Sequence, residues 1–75
     1  MKILIVDDDR DTCRLLSEAL EKAGYLAFYS YDGKAALDKI RSSKYDLILL
    51  DYILPDMNGL EILKKHRIVF MGKKF

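Results

Sequence analysis

The sequence has one cysteine, one proline and no tryptophan among its 75 residues. A single cysteine, Cys13, excludes an internal disulfide framework and fits a reducing compartment, so we expect a cytoplasmic protein. Long hydrophobic runs are also missing, because the first one, Ile3 to Val6, ends after four residues. A run of that length is too short for a signal-peptide core or a membrane-spanning helix, so we expect no membrane contact.

An excess of charge of either sign is absent as well, since 13 basic and 12 acidic residues leave a formal charge of +1. No overall field therefore selects a nucleic acid or an anionic surface, and we expect no direct nucleic-acid contact. The composition, 51% apolar and 33% charged, is too rich in core-forming residues for intrinsic disorder. A chain of this length is expected to form one small domain with one core.

The apolar pattern indicates strands that alternate with helices. Ile3 to Val6 and Leu47 to Leu50 are short apolar runs that close on aspartate, as expected of interior strands covered on both faces. Tyr25 to Tyr31 predicts a strand between them. Helical spacing from Asp9 to Ala23 and from Ala36 to Ile40 predicts two helices. Such alternation gives right-handed βαβ units, so we predict an α/β fold with a parallel sheet and helices on both faces.

Acidic residues follow the first and third predicted strands. Asp7 and Asp8 follow the first strand, and Asp51 follows the third. The carboxyl ends of parallel strands form the ligand-binding edge of an open sheet, so neighbouring strands would bring these carboxylates together. Converging carboxylates repel one another unless a hard cation is present, and an all-oxygen ligand set favours Mg²⁺.

Two interpretations of these aspartates remain open at this point. A carboxylate can act as a nucleophile toward phosphorus, and Asp51 is the best-placed candidate. The simpler interpretation is that Asp7, Asp8 and Asp9 only cap the first helix, and that Asp51 only begins a turn, because aspartate favours both roles.

Three motifs in sequence order resemble those of one protein family. They are Ile-Leu-Ile-Val-Asp-Asp-Asp from Ile3, Asp-Gly-Lys-Ala-Ala-Leu from Asp32, and the segment from Tyr45 to Leu63. With these motifs at these separations, the chain resembles the receiver domain of two-component response regulators. The resemblance implies a flavodoxin-like (CheY-like) parallel sheet of strand order 2-1-3-4-5.

The resemblance also implies a role for each matching site residue. Asp51 would be the phosphoacceptor and a metal ligand, and Asp8 would bind Mg²⁺ directly. Asp7 would contribute through water, and Ile53 would offer its backbone carbonyl. A sensor histidine kinase would be the phosphoryl donor. Such a module assists its own phosphorylation without being a conventional turnover enzyme, so we expect no enzyme in that sense.

The last part of the sequence departs from the family pattern. Residues 1–65 are family-like and residues 66–75 form an atypical tail, so we interpret 1–75 as a partial receiver domain truncated to three or four strands. Only Ile68 to Met71 could supply a fourth strand. The family's hydroxyl residue after strand four has Gly72 as its nearest counterpart, and the strand-five lysine is missing. These departures predict a weakened or absent switch.

Truncation leads to a second functional hypothesis. The apolar side chains of the first helix, such as Leu15, Leu16 and Leu20, would lose part of their cover, and the third or fourth strand would become an open edge. We therefore expect a homo-oligomer formed through an exposed sheet edge or the first helix. The alternative to a working phosphoacceptor is a signalling-inactive fragment that acts only as a self-associating structural module.

Smaller features complete the sequence-based expectations. Cys13 is interpreted as a small buried hydrophobe rather than a reactive thiol. Tyr25, Tyr29 and Tyr31 share one strand parity and are interpreted as packing or interface residues. The Asn58–Gly59 pair is a hairpin-turn signal, but the residues after it favour a third helix.

Overall fold

A computed structural model describes residues 1–51 and 68–71, the latter as backbone only. Its elements in chain order are β1 (Lys2–Val6), α1 (Arg10–Lys22), β2 (Leu26–Ser30), α2 (Gly33–Ser42), β3 (Leu47–Asp51) and β4 (Ile68–Met71). Every predicted strand and helix within these ranges is present, and no end differs from its predicted position by more than three residues. No helix in the described ranges is long and apolar enough to cross a membrane.

The strands form one sheet of order β2-β1-β3-β4, with all neighbours parallel. This order equals the first four positions of the order implied by the family resemblance, and it confirms the predicted α/β class. β4 occupies the segment predicted for a fourth strand. In the register of β1, Leu4 lies between Phe28 of β2 and Ile48 of β3.

The core is centred on β1, whose residues Ile3 to Val6 are at most 1% exposed. Because side chains alternate across a strand, this run is buried on both faces, as predicted for an interior parallel strand. One face packs against α2 in a cluster of Leu4, Val6, Ala36, Ile48 and Leu50. Helix α1 contacts β1 and β2 and covers the other face.

Both helices are capped by an aspartate, and for α1 this is Asp9, one of the candidate caps in the sequence. The Asp9 carboxylate accepts the backbone N–H groups of Asp11 and Thr12, and the Asp32 carboxylate accepts that of Ala35. These bonds satisfy N–H groups that have no partner within the helix. Helix α1 stops before Gly24, whose φ of 94° lies in the left-handed region that glycine adopts without a steric cost.

The buried side of α1 differs in part from the predicted stripe. Cys13 and Ser17 are its buried residues, whereas Leu15 is 58% exposed. Leu16 and Leu20 are half-buried. The apolar spacing alone could not separate Leu15 from its neighbour Leu16, because adjacent helical positions are only about 100° apart. The prediction for Cys13 as a buried small side chain is confirmed.

The amino end of β1 is fixed by the side chain and the backbone of Lys2. Its Nζ lies 5.2 Å from the ring centre of Phe28 and 4.7 Å from that of Tyr45, and it donates to Ser43 Oγ. The Lys2 backbone N–H donates to Asp46 Oδ2 at 2.7 Å, and the Asp46 N–H donates back to the Lys2 carbonyl at 2.7 Å. Cation–π attraction and these hydrogen bonds together join β1 to the connection between α2 and β3.

Candidate functional site

The parallel register brings the acidic residues of β1 and β3 to the same edge of the sheet. Val6 pairs with Leu50, so the next residues along each strand, Asp7 and Asp51, are level with each other. Their side chains are buried, at 1% and 2% exposure, while Asp8 is exposed. One carboxylate oxygen from each of Asp7, Asp8 and Asp51 lies within 4.8 Å of the others. The predicted convergence of these three carboxylates is therefore present.

Hydrogen bonds from three different segments hold Asp7 in place. Its backbone N–H donates to the Ser30 carbonyl at 3.0 Å, and its Oδ1 accepts the Asp9 N–H at 2.9 Å. Its carbonyl accepts a hydrogen bond from Cys13 Sγ at 3.3 Å. The sequence analysis missed these supporting contacts. The bond to the N–H two residues onward is typical of an aspartate-initiated turn, which is the signal that could have revealed it.

The simple interpretation of the aspartates as caps is correct for only one of the first three. Asp9 Oδ1 accepts the Asp11 and Thr12 N–H groups at 3.0 and 3.3 Å, so it is the residue that caps α1. Asp7 instead turns its carboxylate toward Asp8 and Asp51. A run of three aspartates thus divides into one structural residue and two that belong to the acidic group.

The acidic group fits a small, hard divalent cation. Oxygen ligands at about 2.0–2.1 Å from an octahedral Mg²⁺ are separated by about 3 Å when adjacent and about 4 Å when opposite. One oxygen from each of the three carboxylates lies within 4.8 Å of the others, which is close to these oxygen–oxygen distances around Mg²⁺. A carboxylate that binds the ion through water would lie farther from the other two. The ligand atoms are all oxygen, as magnesium prefers, and a cation would offset their mutual repulsion.

Aromatic side chains and a cation contact one another around the end of β2. The guanidinium carbon of Arg10 is 4.3 Å from the ring centre of Tyr31, a cation–π distance. The Tyr31 ring is 5.5 Å from that of Tyr29, so these two of the three predicted packing or interface tyrosines contact each other. Desolvation raises the pKa of Tyr31, and a hydrogen bond with Tyr29 adds to the effect. The sequence analysis did not single out Arg10.

The Cys13 thiol is expected to be almost unreactive in the folded protein. Burial, and secondly the charge of Asp7, raise its pKa from 9.0 to about 11. At pH 9 the folded thiol would be only about 1% ionised against about half in an unfolded chain, so iodoacetamide should react about fifty-fold more slowly with the folded protein. Mass spectrometry of samples quenched over time, with and without urea, measures the ratio. Equal rates would contradict the buried environment of this thiol.

Several predicted residues lie outside the described ranges. These are Ile53 with its backbone carbonyl, the third helix after Asn58–Gly59, Gly72, and the rest of the tail apart from β4. Their roles stay predictions, as do the oligomeric state and the division of the chain at residue 65.

Comparisons with known proteins agree on one family. The response regulator receiver domain matches residues 3–68. The response regulator ArlR of Staphylococcus saprophyticus is 48% identical over 66 residues, which cover 88% of this chain and 30% of that protein. Sporulation initiation phosphotransferase F of Bacillus subtilis is 44% identical over 68 residues, covering 91% of this chain and 55% of that protein. The chain therefore spans about a third to a half of the length of these relatives.

Solved structures give the same result for the fold. The response regulator TrrA of Thermotoga maritima, crystallised in complex with Mg²⁺ and BeF, superposes with a TM-score of 0.81 at 37% identity. The match covers 92% of this chain and 66% of that one. TrrA in complex with the histidine kinase ThkA superposes with a TM-score of 0.80 at 36% identity, with the same coverage.

Proposed function

This chain belongs to the response regulator receiver domain family, and from that premise we propose that it accepts a phosphoryl group on Asp51 in two-component signalling. The observation that carries the proposal is the convergence of the Asp7, Asp8 and Asp51 carboxylates within 4.8 Å at the carboxyl edge of the sheet. A lone buried carboxylate is commonly structural, whereas three carboxylates whose oxygens lie within 4.8 Å of one another are typical of a functional site.

Asp51 is the proposed nucleophile because it ends β3 with its backbone fixed by the sheet. A carboxylate oxygen of Asp51 attacks the phosphorus of a phosphohistidine, and a new phosphorus–oxygen bond forms while the phosphorus–nitrogen bond breaks. The electron pair of the broken bond stays on the imidazole, which takes up a proton. The product on this chain is an acyl phosphate, so each chain is modified once and is not a turnover catalyst.

The remaining acidic residues are proposed to hold the divalent cation. Asp8 and Asp51 would bind Mg²⁺ directly, Asp7 would bind through water, and the Ile53 carbonyl would complete the protein ligands. When bound, the ion supplies positive charge that offsets the charge on the transferred phosphoryl group. The contacts of Asp7 support this assignment, because Ser30 and Cys13 bond to its backbone and the Asp9 N–H bonds to its carboxylate before any ligand arrives.

The proposed phosphoryl donor is a sensor histidine kinase. The likeness to TrrA, which has been crystallised with the histidine kinase ThkA, supports this choice. The proposal places the chain in the cytoplasm, the reducing compartment that its single cysteine fits. No output follows from the described residues, and none is proposed.

The proposal is tested by intact-mass spectrometry after incubation with acetyl phosphate and Mg²⁺. We expect the chain to gain one phosphoryl group, and we expect Asp51→Asn to gain none, because an amide is not a nucleophile toward phosphorus. Asp38→Asn is the matched control, since it removes an exposed carboxylate from α2, away from the acidic group. It should be phosphorylated like the unmodified sequence.

The result also separates the two hypotheses for this sequence. Failure of a folded sample to gain mass, with Mg²⁺ present, would overturn the phosphoacceptor role and favour the structural module. Phosphorylation of Asp51→Asn to the same extent would show that another residue accepts the group. Circular dichroism of each variant establishes that the comparison is made between folded proteins.

A further inference from the structure

Strand β2 is an end of the sheet that carries exposed apolar side chains. Among the described residues no strand lies beyond it, because the order is β2-β1-β3-β4. Leu26 is 63% exposed, and Phe28 and Tyr29 are each 40% exposed. The sequence predicted an open edge at the third or fourth strand, and it predicted only that Tyr25, Tyr29 and Tyr31 of the present segment are packing or interface residues.

The edge lacks the features by which monomeric proteins protect an end strand. Such strands usually carry lysine, other charges or proline, which discourage pairing with another chain. From Gly24 to Tyr31 the sequence contains no charged residue and no proline. An uncharged aromatic edge strand of this kind is a template for a further strand.

The hydrogen bonds of β2 determine which backbone groups point outward. Leu26 donates its N–H to Met1, and the Ser30 carbonyl accepts the N–H of Asp7, so these residues face β1. Because backbone groups alternate in direction along a strand, Phe28 also faces β1, while Ala27 and Tyr29 direct N–H and C=O toward the free edge. Two residues in each chain therefore offer a donor and an acceptor at the correct spacing.

We propose that β2 pairs with β2 of a second copy of this chain, antiparallel about a twofold axis through Phe28. In this register Ala27 of each copy lies opposite Tyr29 of the other, and each of these pairs exchanges two backbone hydrogen bonds. A small residue faces a large one in both pairs, and Tyr25 faces Tyr31, so the surface is complementary to itself. Such an interface closes after two copies, as an isologous contact requires.

The partner is a second copy rather than an unrelated strand because the two outward-facing residues, Ala27 and Tyr29, are each other's hydrogen-bonding partners in the antiparallel pair. Aromatic cross-strand pairs stabilise antiparallel sheets. The Tyr25 N–H already donates to the Leu20 carbonyl at 3.0 Å, so the paired segment is limited to its centre. Pairing would join the sheets of the two copies into one continuous sheet. The inference does not depend on the proposed phosphoacceptor role.

The first test is sedimentation equilibrium of the whole chain from tens to hundreds of micromolar, where we expect a reversible monomer–dimer equilibrium. The second test uses cysteine substitutions under mild oxidation. Phe28 would lie opposite its own copy at about 4.5 Å between Cα atoms, within the range of about 4.4–6.8 Å that a disulfide requires. Phe28→Cys should therefore cross-link to a dimer.

Leu26→Cys is the matched control, because Leu26 is on the same strand and is more exposed. In the proposed register its two copies lie four residues apart along the sheet, about 14 Å, so it should cross-link at least tenfold less. The unmodified chain should not cross-link, because Cys13 is fully buried.

Three results would overturn the proposal: a monomer at every concentration, a dimer in which Phe28→Cys does not cross-link, or cross-linking of Leu26→Cys to the same extent. If Phe28→Cys does not fold, hydrogen exchange of the backbone amides in the unmodified chain tests the pairing instead. Exchange at Ala27 and Tyr29 should slow as the concentration rises, while exchange at Phe28 stays constant. Concentration-independent exchange at all three residues would rule out this pairing.

Discussion

Replacing Leu4 with alanine is expected to destabilise the protein by about 2–5 kcal/mol, the usual loss for a buried leucine truncated in a core that cannot collapse around it. Leu4 is fully buried and packs with Val6, Ala36 and Ile48 beneath α2. A domain of 75 residues has a total stability of only about 4–11 kcal/mol. Urea denaturation should therefore show either a much lower midpoint or a largely unfolded protein without urea.

Leu15→Ala is the matched control for this experiment, because it removes the same atoms from a side chain that is 58% exposed. Its effect should stay within about 0.5 kcal/mol, the usual range for surface substitutions. A loss at Leu15 as large as that at Leu4 would show that α1 packs against something the monomer does not contain. Equal and small losses would contradict the described core.

Asp8→Asn is expected to remove most of the stability that Mg²⁺ gives to this chain. An ion that binds only the folded state adds about 2.7 kcal/mol when its concentration is a hundred times the dissociation constant. Asp8 is a proposed direct ligand, so its loss should abolish most of that gain. The measurement is urea unfolding of both proteins, once with EDTA and once with saturating Mg²⁺.

In EDTA, Asp8→Asn is not expected to lower the free energy of unfolding. Without the ion, Asp7, Asp8 and Asp51 repel one another, and a neutral amide at position 8 relieves part of that repulsion. Asp8→Asn should therefore be at least as stable as the unmodified chain. Asp38→Asn, on the exposed side of α2, should respond to Mg²⁺ normally. A full Mg²⁺ response in Asp8→Asn would refute its assignment as a ligand.

The fold could be predicted from the sequence because its buried strands have a recognisable apolar pattern. Ile3 to Val6 and Leu47 to Leu50 are uninterrupted apolar runs, which only strands covered on both faces require. The separation of these runs by helical segments then determines the parallel arrangement. The convergence of Asp7 and Asp51 follows from topology, since both residues end neighbouring strands.

Contacts that depend on how the helices and strands pack together could not be predicted from the sequence pattern. Cys13 bonds to the Asp7 carbonyl, and Ser30 accepts the Asp7 N–H, yet neither residue carries a motif. The exposure of Leu15 depends on how α1 is rotated over the sheet. The free edge at β2 was also not predicted, because the apolar pattern of a segment does not show which strands end the sheet.

The central position of β1 also imposes an order on assembly. Its pairing with β2 joins Lys2 to Leu26, a separation of 24 residues, whereas its pairing with β3 joins Ile3 to Leu47, a separation of 44. Closing the longer loop costs only about 0.5 kcal/mol more in chain entropy. During synthesis, however, β2 is made before β3, so β1 can pair with β2 first and its other side stays unpaired until β3 has been made. The acidic group can therefore assemble only after Asp51, the last residue of β3, has been synthesised.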